Sequence, residues 1–192
     1  MRDSPMSAGI TIWLTGLSGA GKSTIAEALA EYLTAAGVDS QILDGDELRT
    51  NLSAGLGFSR EDRTTHVTRV GFVAELLSRH GVVSIVPVIA PYADARATVR
   101  AHHESHGTAY AEVYVATTLA ECQRRDVKGL YAKAAAGQLR GMTGVDDPYE
   151  APVDPDLTIQ TEQISVADAV RVIVDRFGIG APALVSTVQE TA

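Results

Sequence analysis

One cysteine, Cys122, stands in 192 residues. Its solitude excludes a disulfide within the chain and a cysteine-rich zinc site, and it fits a reducing, cytoplasmic setting. Long apolar runs are missing as well. None could cross a bilayer, and the opening MRDSPMSAG lacks the apolar stretch of a secretory signal. Positive charge is scarce: 16 Lys and Arg stand against 24 Asp and Glu, a net charge of −8. That balance argues against nucleic acid or a membrane as a partner, so any anion site must be a local basic cluster. Internal repeats are absent too. The length suits one domain with a sizeable core.

What is present alternates. Ile10–Thr15 reads as a buried strand, and Lys22–Ala36 as a helix with Ile25, Ala28, Leu29 and Leu33 at helical spacing and Gly37 as its stop. VDSQILD is a second strand and GDELRTNL a short helix. A longer helix runs from Arg60 to His80. VVSIVPVI is a third strand bent or ended by Pro87, and Asp94–His106 a helix. AEVYVAT is a fourth strand, followed by a helix from Leu119. DLTIQT is a late strand, and Val166–Phe177 a final amphipathic helix. Strands alternating with helices predict an α/β fold, with a mostly parallel sheet covered on both faces and a ligand site beyond the carboxyl ends of the strands. That edge gathers residues 16–24, 44–49 and 89–92. Residues 1–9 and the stretch after Phe177 read as flexible ends. The segment from about 124 to 150 breaks the alternation, basic first, glycine-punctuated, then acidic, and reads as a lid.

The densest chemistry is GLSGAGKST. Gly16, Gly21, Lys22 and Ser23 fill the pattern G-x-x-x-x-G-K-[ST] between a strand and a helix. Such a loop turns backbone N–H groups of Gly16, Leu17, Ser18, Gly19, Ala20 and Gly21 toward phosphate oxygens, and Thr24 continues the helix whose N-terminus adds its dipole. Lys22 would neutralise the β- and γ-phosphates of ATP, and the Ser23 hydroxyl would hold Mg²⁺.

In LDGDELR, Asp44 and Asp46 can face those phosphates, one orienting Mg²⁺-bound water and the other accepting a proton; both also suit a turn and a helix start. Arg49, Arg63 and Lys128 suit phosphate-like anions, with surface pairing to Glu47, Asp62 or Asp126 as the plain alternative. Phe58 could stack on a base, but its local context favours packing on the core. His102, His103 and His106 look like a metal cluster, yet a polar helix without cysteine favours a solvated face. Cys122 reads as a small buried residue.

GLSGAGKST, LDGDELR, LGFSREDR, IAPYADAR, RDVKGLYAKAAAGQL, TGVDDPYEAP and DLTIQT occur in the order and spacing of adenylylsulfate kinases, and the chain resembles that family from Ile10 to Phe177. The resemblance implies a P-loop three-layer α/β/α domain with a lid. It also implies MgATP-dependent phosphorylation of the 3′-hydroxyl of adenosine 5′-phosphosulfate (APS), giving 3′-phosphoadenylyl sulfate in sulfate assimilation. It places Asp46 beside the acceptor hydroxyl, Arg49 and Arg63 on the phosphosulfate, and Phe58 on the acceptor adenine, against the local reading. Ile89, Ala90, Lys128, Gly141 and Met142 fall on acceptor contacts. A homodimer and an association with ATP sulfurylase are also implied. Three positions depart from the family. Ala90 replaces a common serine, so no phosphoserine can form there and transfer should be direct. His66 replaces asparagine, which makes its hydrogen bond pH-sensitive. Met142 replaces a lid phenylalanine, with softer packing against adenine and Phe58. The rival readings are a P-loop kinase for another small hydroxyl acceptor and a non-catalytic nucleotide-binding regulatory copy.

Overall fold

A computed structural model describes residues 9–180. The elements run β1 (Ile10–Thr15), α1 (Lys22–Ala35), β2 (Ser40–Ile42), α2 (Gly45–Asn51), α3 (Arg60–Arg79), β3 (Val83–Pro87), α4 (Ala93–Ser105), β4 (Ala109–Val115), α5 (Leu119–Arg125), α6 (Leu130–Ala135), β5 (Leu157–Ile159) and α7 (Val166–Phe177). The five strands form one parallel sheet in the order β2-β3-β1-β4-β5.

Side-chain alternation along the strands sorts the core into two layers. Ile12, Leu14, Ile85 and Val113 pack with Ile25, Leu29 and Leu33 of α1 and Val170, Ile173 and Val174 of α7. Trp13 and Val86 point the other way, into Val67, Val70 and Ala74 of α3 and Val99 of α4. The sheet is therefore covered on both faces, as the alternation of elements predicts. Packing of α3 on α4 is close: a Cβ on Gly71 would lie 2.6 Å from Val99 Cγ2. Cys122 is fully buried.

Side chains cap the helices that open toward the strand ends. Asp44 Oδ1 accepts from the N–H groups of Asp46 and Glu47 at the start of α2, and Ser59 Oγ accepts from Asp62 N–H at the start of α3. Helix α1 has no such cap and no acidic residue in its first turn.

Four sequence readings need correction. The edge strand β2 keeps three residues of the predicted seven, because Asp44 is taken up in capping α2. The lid carries a helix, α6, that the glycines flanking it concealed. Ile179, expected in a loose tail, is 8% exposed and packs on the core after Gly178 closes α7 in a left-handed conformation. Gly9, expected in a flexible N-terminus, is buried, and a Cβ there would meet the Ser78 carbonyl oxygen at 2.3 Å. The readings of flexibility for residues 1–8 and 181–192 lie outside the described residues. Among the described residues no helix is long and apolar enough to cross a membrane.

Candidate active site

The loop from Gly16 to Gly21 joins the carboxyl end of β1 to α1. Gly16 is required there: its φ is +154°, and a Cβ would meet the Val115 carbonyl oxygen at 2.5 Å. Gly21 enters α1 at φ +104°. The loop curls round the side chain of Lys22, whose Nζ donates to the carbonyls of Gly16 and Leu17, each at 2.8 Å. Burial lowers the Lys22 pKa to about 8. The result is a glycine-dense loop, an uncapped helix start and a buried cation side by side, a combination that suits an anion.

This loop forms one wall of a cavity of about 600 Å³, a size that suits small-molecule ligands. Ser18, Gly19, Gly21, Lys22, Ser23 and Thr24 line it from the loop side. Asp44, Asp46, Arg49, Phe58, Arg63 and His66 line it from α2, α3 and the turn between them. Ile89 and Ala90 close its floor after β3, and Lys128, Gly141 and Met142 reach it from the lid. Gly16, Leu17 and Ala20 do not line the cavity. The first two offer the carbonyls that hold Lys22, while Ala20 is fully buried and its carbonyl accepts from Thr117 Oγ1 at 2.8 Å.

The aromatic and basic groups contributed by α2, α3 and the turn between them are assembled together in the lining. Phe58 is 64% exposed, so it is not a core residue. The guanidinium of Arg49 sits 4.7 Å and that of Arg63 5.4 Å from its ring centre. Arg49 donates to the Gly57 carbonyl. Arg63 is buried, and it donates to the Phe58 and Gly141 carbonyls and to Thr143 Oγ1. One arginine thus ties the Phe58 turn to the lid. His66 is also buried, with Nδ1 hydrogen-bonded to Ser53 Oγ at 2.9 Å. Burial and the Arg49 charge lower its pKa to about 4. The imidazole is therefore neutral at pH 7, and the expected pH sensitivity moves well below neutrality. Met142 is 6% exposed and belongs to the core cluster beneath the lid.

The lid returns to the domain through charged side chains. Asp146 accepts from the N–H groups of Gly141 and Met142. Asp147 accepts from Tyr92 Oη at 3.1 Å and lies 3.7 Å from Arg63 Nε. Arg96 is buried, pairs with Glu112 at 2.8 Å and donates to the carbonyls of Ala90 and Glu150. This arginine clamps the Ala90 turn to the end of the lid. Ala90 itself is held at φ +44°, a conformation that L side chains rarely adopt. Arg96, Thr143 and Arg125, a further arginine lining the cavity, escaped the sequence reading. Only the basic start of the lid signalled Arg125, and nothing local marked the other two.

Comparison with known proteins follows the same lines. The profile of the family described as adenylylsulphate kinase matches residues 8–160. An adenylyl-sulfate kinase of Deinococcus deserti is 51% identical over 173 residues, 90% of this chain and 93% of that protein. One of Picosynechococcus is 49% identical over 168 residues, 88% and 93% of the two chains. The structure of the Mycobacterium tuberculosis APS kinase CysC in complex with AMPPNP and APS superposes with a TM-score of 0.87 at 42% identity, covering 90% of this chain and 99% of that one. This chain belongs to the adenylylsulphate kinase family.

Proposed function

We propose that this enzyme transfers the γ-phosphoryl group of ATP to the 3′-hydroxyl of adenosine 5′-phosphosulfate, releasing ADP and 3′-phosphoadenylyl sulfate. One observation carries the reading: a single cavity has an anion-receiving loop on one wall and an aromatic ring flanked by two arginines on the other. A triphosphate suits the first wall, and a nucleotide bearing a second anionic group suits the other.

In this reading Lys22 leaves the Gly16 and Leu17 carbonyls for the β- and γ-phosphates, which explains why a buried ammonium has only neutral partners here. Phe58 stacks on the acceptor adenine. Arg49 and Arg63 take the phosphosulfate, and Ile89, Ala90, Gly141 and Met142 bound the nucleoside. Asp46, on the first turn of α2, accepts the proton of the attacking hydroxyl. Its exposed ion pair with Lys128 of the lid draws the flap across the acceptor. Little covalent chemistry is asked of the protein; positioning and charge compensation carry the rate.

The donor set also fits Mg²⁺. The Ser23 hydroxyl opens α1 and faces the cavity, and Asp44 spends one carboxylate oxygen, Oδ1, on the two N–H groups of α2. These are hard oxygen donors, the hydroxyl direct and the carboxylate through water. Bound there, the ion would offset charge on the phosphates.

Ala90 has no hydroxyl, so transfer passes directly from donor to acceptor. We further propose cytoplasmic action in sulfate assimilation, as a homodimer and in association with ATP sulfurylase. The deciding experiment is a coupled ADP-release assay with MgATP, with and without adenosine 5′-phosphosulfate. Release that depends on APS supports the assignment. Release with a nucleoside, sugar acid or shikimate-like acceptor instead points to another small-molecule kinase, and ATP binding without turnover points to a regulatory copy.

A further inference from the structure

Toward the amino ends of the strands, away from the cavity, α3 and α4 bring together a second set of titratable groups. Glu75 stands three turns along α3 from Arg63, about 18 Å at 1.5 Å per residue. Its side chain is fully buried. Thr108 Oγ1 donates to Oε1 at 2.8 Å, and Arg79 Nε lies 3.5 Å from the same oxygen. Among the described residues, Oε2 is buried without a hydrogen-bond partner. His102 Nε2 lies 3.7 Å from it and is, among the described residues, also buried and unpartnered. The His106 ring lies tilted by 60° against that of His102, with ring centres 4.6 Å apart. One ligand atom from each of Glu75, His102 and His106 falls within 4.8 Å of the others.

We propose that Glu75, His102 and His106 bind one divalent transition-metal cation of the Zn²⁺ class, clipping α3 to α4. Two orphaned buried atoms, a carboxylate oxygen and an imidazole nitrogen, face the same small space. Leaving such groups unpaired costs stability, and a shared cation would satisfy both. Two imidazoles and a carboxylate are a ligand set that zinc accepts with a fourth position open to water. The supporting shell is already built. His106 Nδ1 meets the His102 carbonyl at 2.9 Å, so an N–H donated there leaves Nε2 carrying the lone pair. Thr108 fixes the carboxylate through its other oxygen. His106 is exposed, which gives the ion an entry path.

The sequence pattern of three histidines was misleading in one respect. His103 is turned into the core, where its Nε2 meets Thr11 Oγ1 at 2.9 Å and its Nδ1 the Val99 carbonyl at 2.8 Å. Glu75, from a different helix, takes the third place.

The test uses the untagged full chain, stripped with chelator and held in excess Mg²⁺ to occupy hard-oxygen sites. Zn²⁺ is titrated by calorimetry, and Co²⁺ is followed by its visible absorption. We expect one equivalent per chain and the strong bands of a four-coordinate cobalt site. His106→Ala, at an exposed position, should abolish the stoichiometric binding while APS-dependent ADP release is retained. His80→Ala, at an exposed histidine outside the cluster, should bind as wild type. Thr108→Val should weaken binding about 10–100-fold. Absence of a stoichiometric equivalent in the wild-type chain overturns the proposal. So does binding that His106→Ala leaves intact.

Discussion

Lys128 of the lid forms an ion pair with Asp46 of α2, bridging two segments 82 residues apart across the mouth of the cavity. Both side chains are more than half exposed, so the pair adds about 0–1 kcal/mol to folding. Its value lies in where it holds the flap. Lys128→Ala should leave the melting temperature within error and raise KM for APS several-fold. Asp46→Asn should lower kcat about 10²–10⁴-fold while the ATP dissociation constant stays near wild type. Unchanged turnover in Asp46→Asn would remove its role as base.

Lys22 yields a pH prediction. Its pKa is lowered from 10.5 to about 8 by burial. Between those values the unfolded chain holds more protons at this group than the folded chain, so its contribution to stability rises with pH across that window. Phosphate binding needs the ammonium form. Nucleotide affinity should therefore fall above pH 8, and binding near pH 8.5 should take up protons. Calorimetry in two buffers of different ionisation enthalpy measures the uptake; a buffer-independent heat contradicts it. Lys22→Ala should cut phosphoryl transfer about 10²-fold or more.

Phe58 is exposed, so its removal should cost little folding stability. Stacking on a base is worth about 1–3 kcal/mol, which corresponds to roughly 5–150-fold in affinity. Phe58→Ala should raise KM for APS by that factor and leave KM for ATP alone. Steady-state kinetics with each substrate varied separates the two.

His66 sets an acid limit on the fold. Its pKa is lowered from 6.5 to about 4, chiefly by burial. Between pH 6.5 and 4 the unfolded chain binds the proton more readily, so stability is lost as pH falls through that window, by about 1.4 kcal/mol per pKa unit. His66→Asn should flatten this part of the profile. Thermal denaturation from pH 4 to 7 reads the difference; parallel profiles would mean that His66 is not the group responsible.

Much of the fold was legible because buried parallel strands write themselves as short apolar runs. ITIWLT and VVSIVPVI fill two of the three interior positions of the sheet, β4 the third, and helical spacing on either side gave the layers. The edge strand β2 was misjudged in length, since an edge has only one neighbour to extend it and Asp44 was claimed by a helix cap. In the site, the phosphate loop was plain because only glycines permit its turns. Phe58 was not: a phenylalanine in a local window looks like core, and its place in the site is visible only with the two arginines that α2 and α3 bring to its ring. Arg96 and Thr143 could not be found at all by local pattern, because their partners lie 54 and 80 residues away.

The methyl group of Ala90 has a stereochemical consequence. A nucleophilic oxygen on that turn would make the reaction two successive displacements and return phosphorus to its starting handedness. With a methyl there, clamped by Arg96 through its own carbonyl, one displacement remains. The product formed from a chiral γ-thiophosphate donor should emerge as its mirror configuration, and labelled ADP should not exchange into ATP until the acceptor is added.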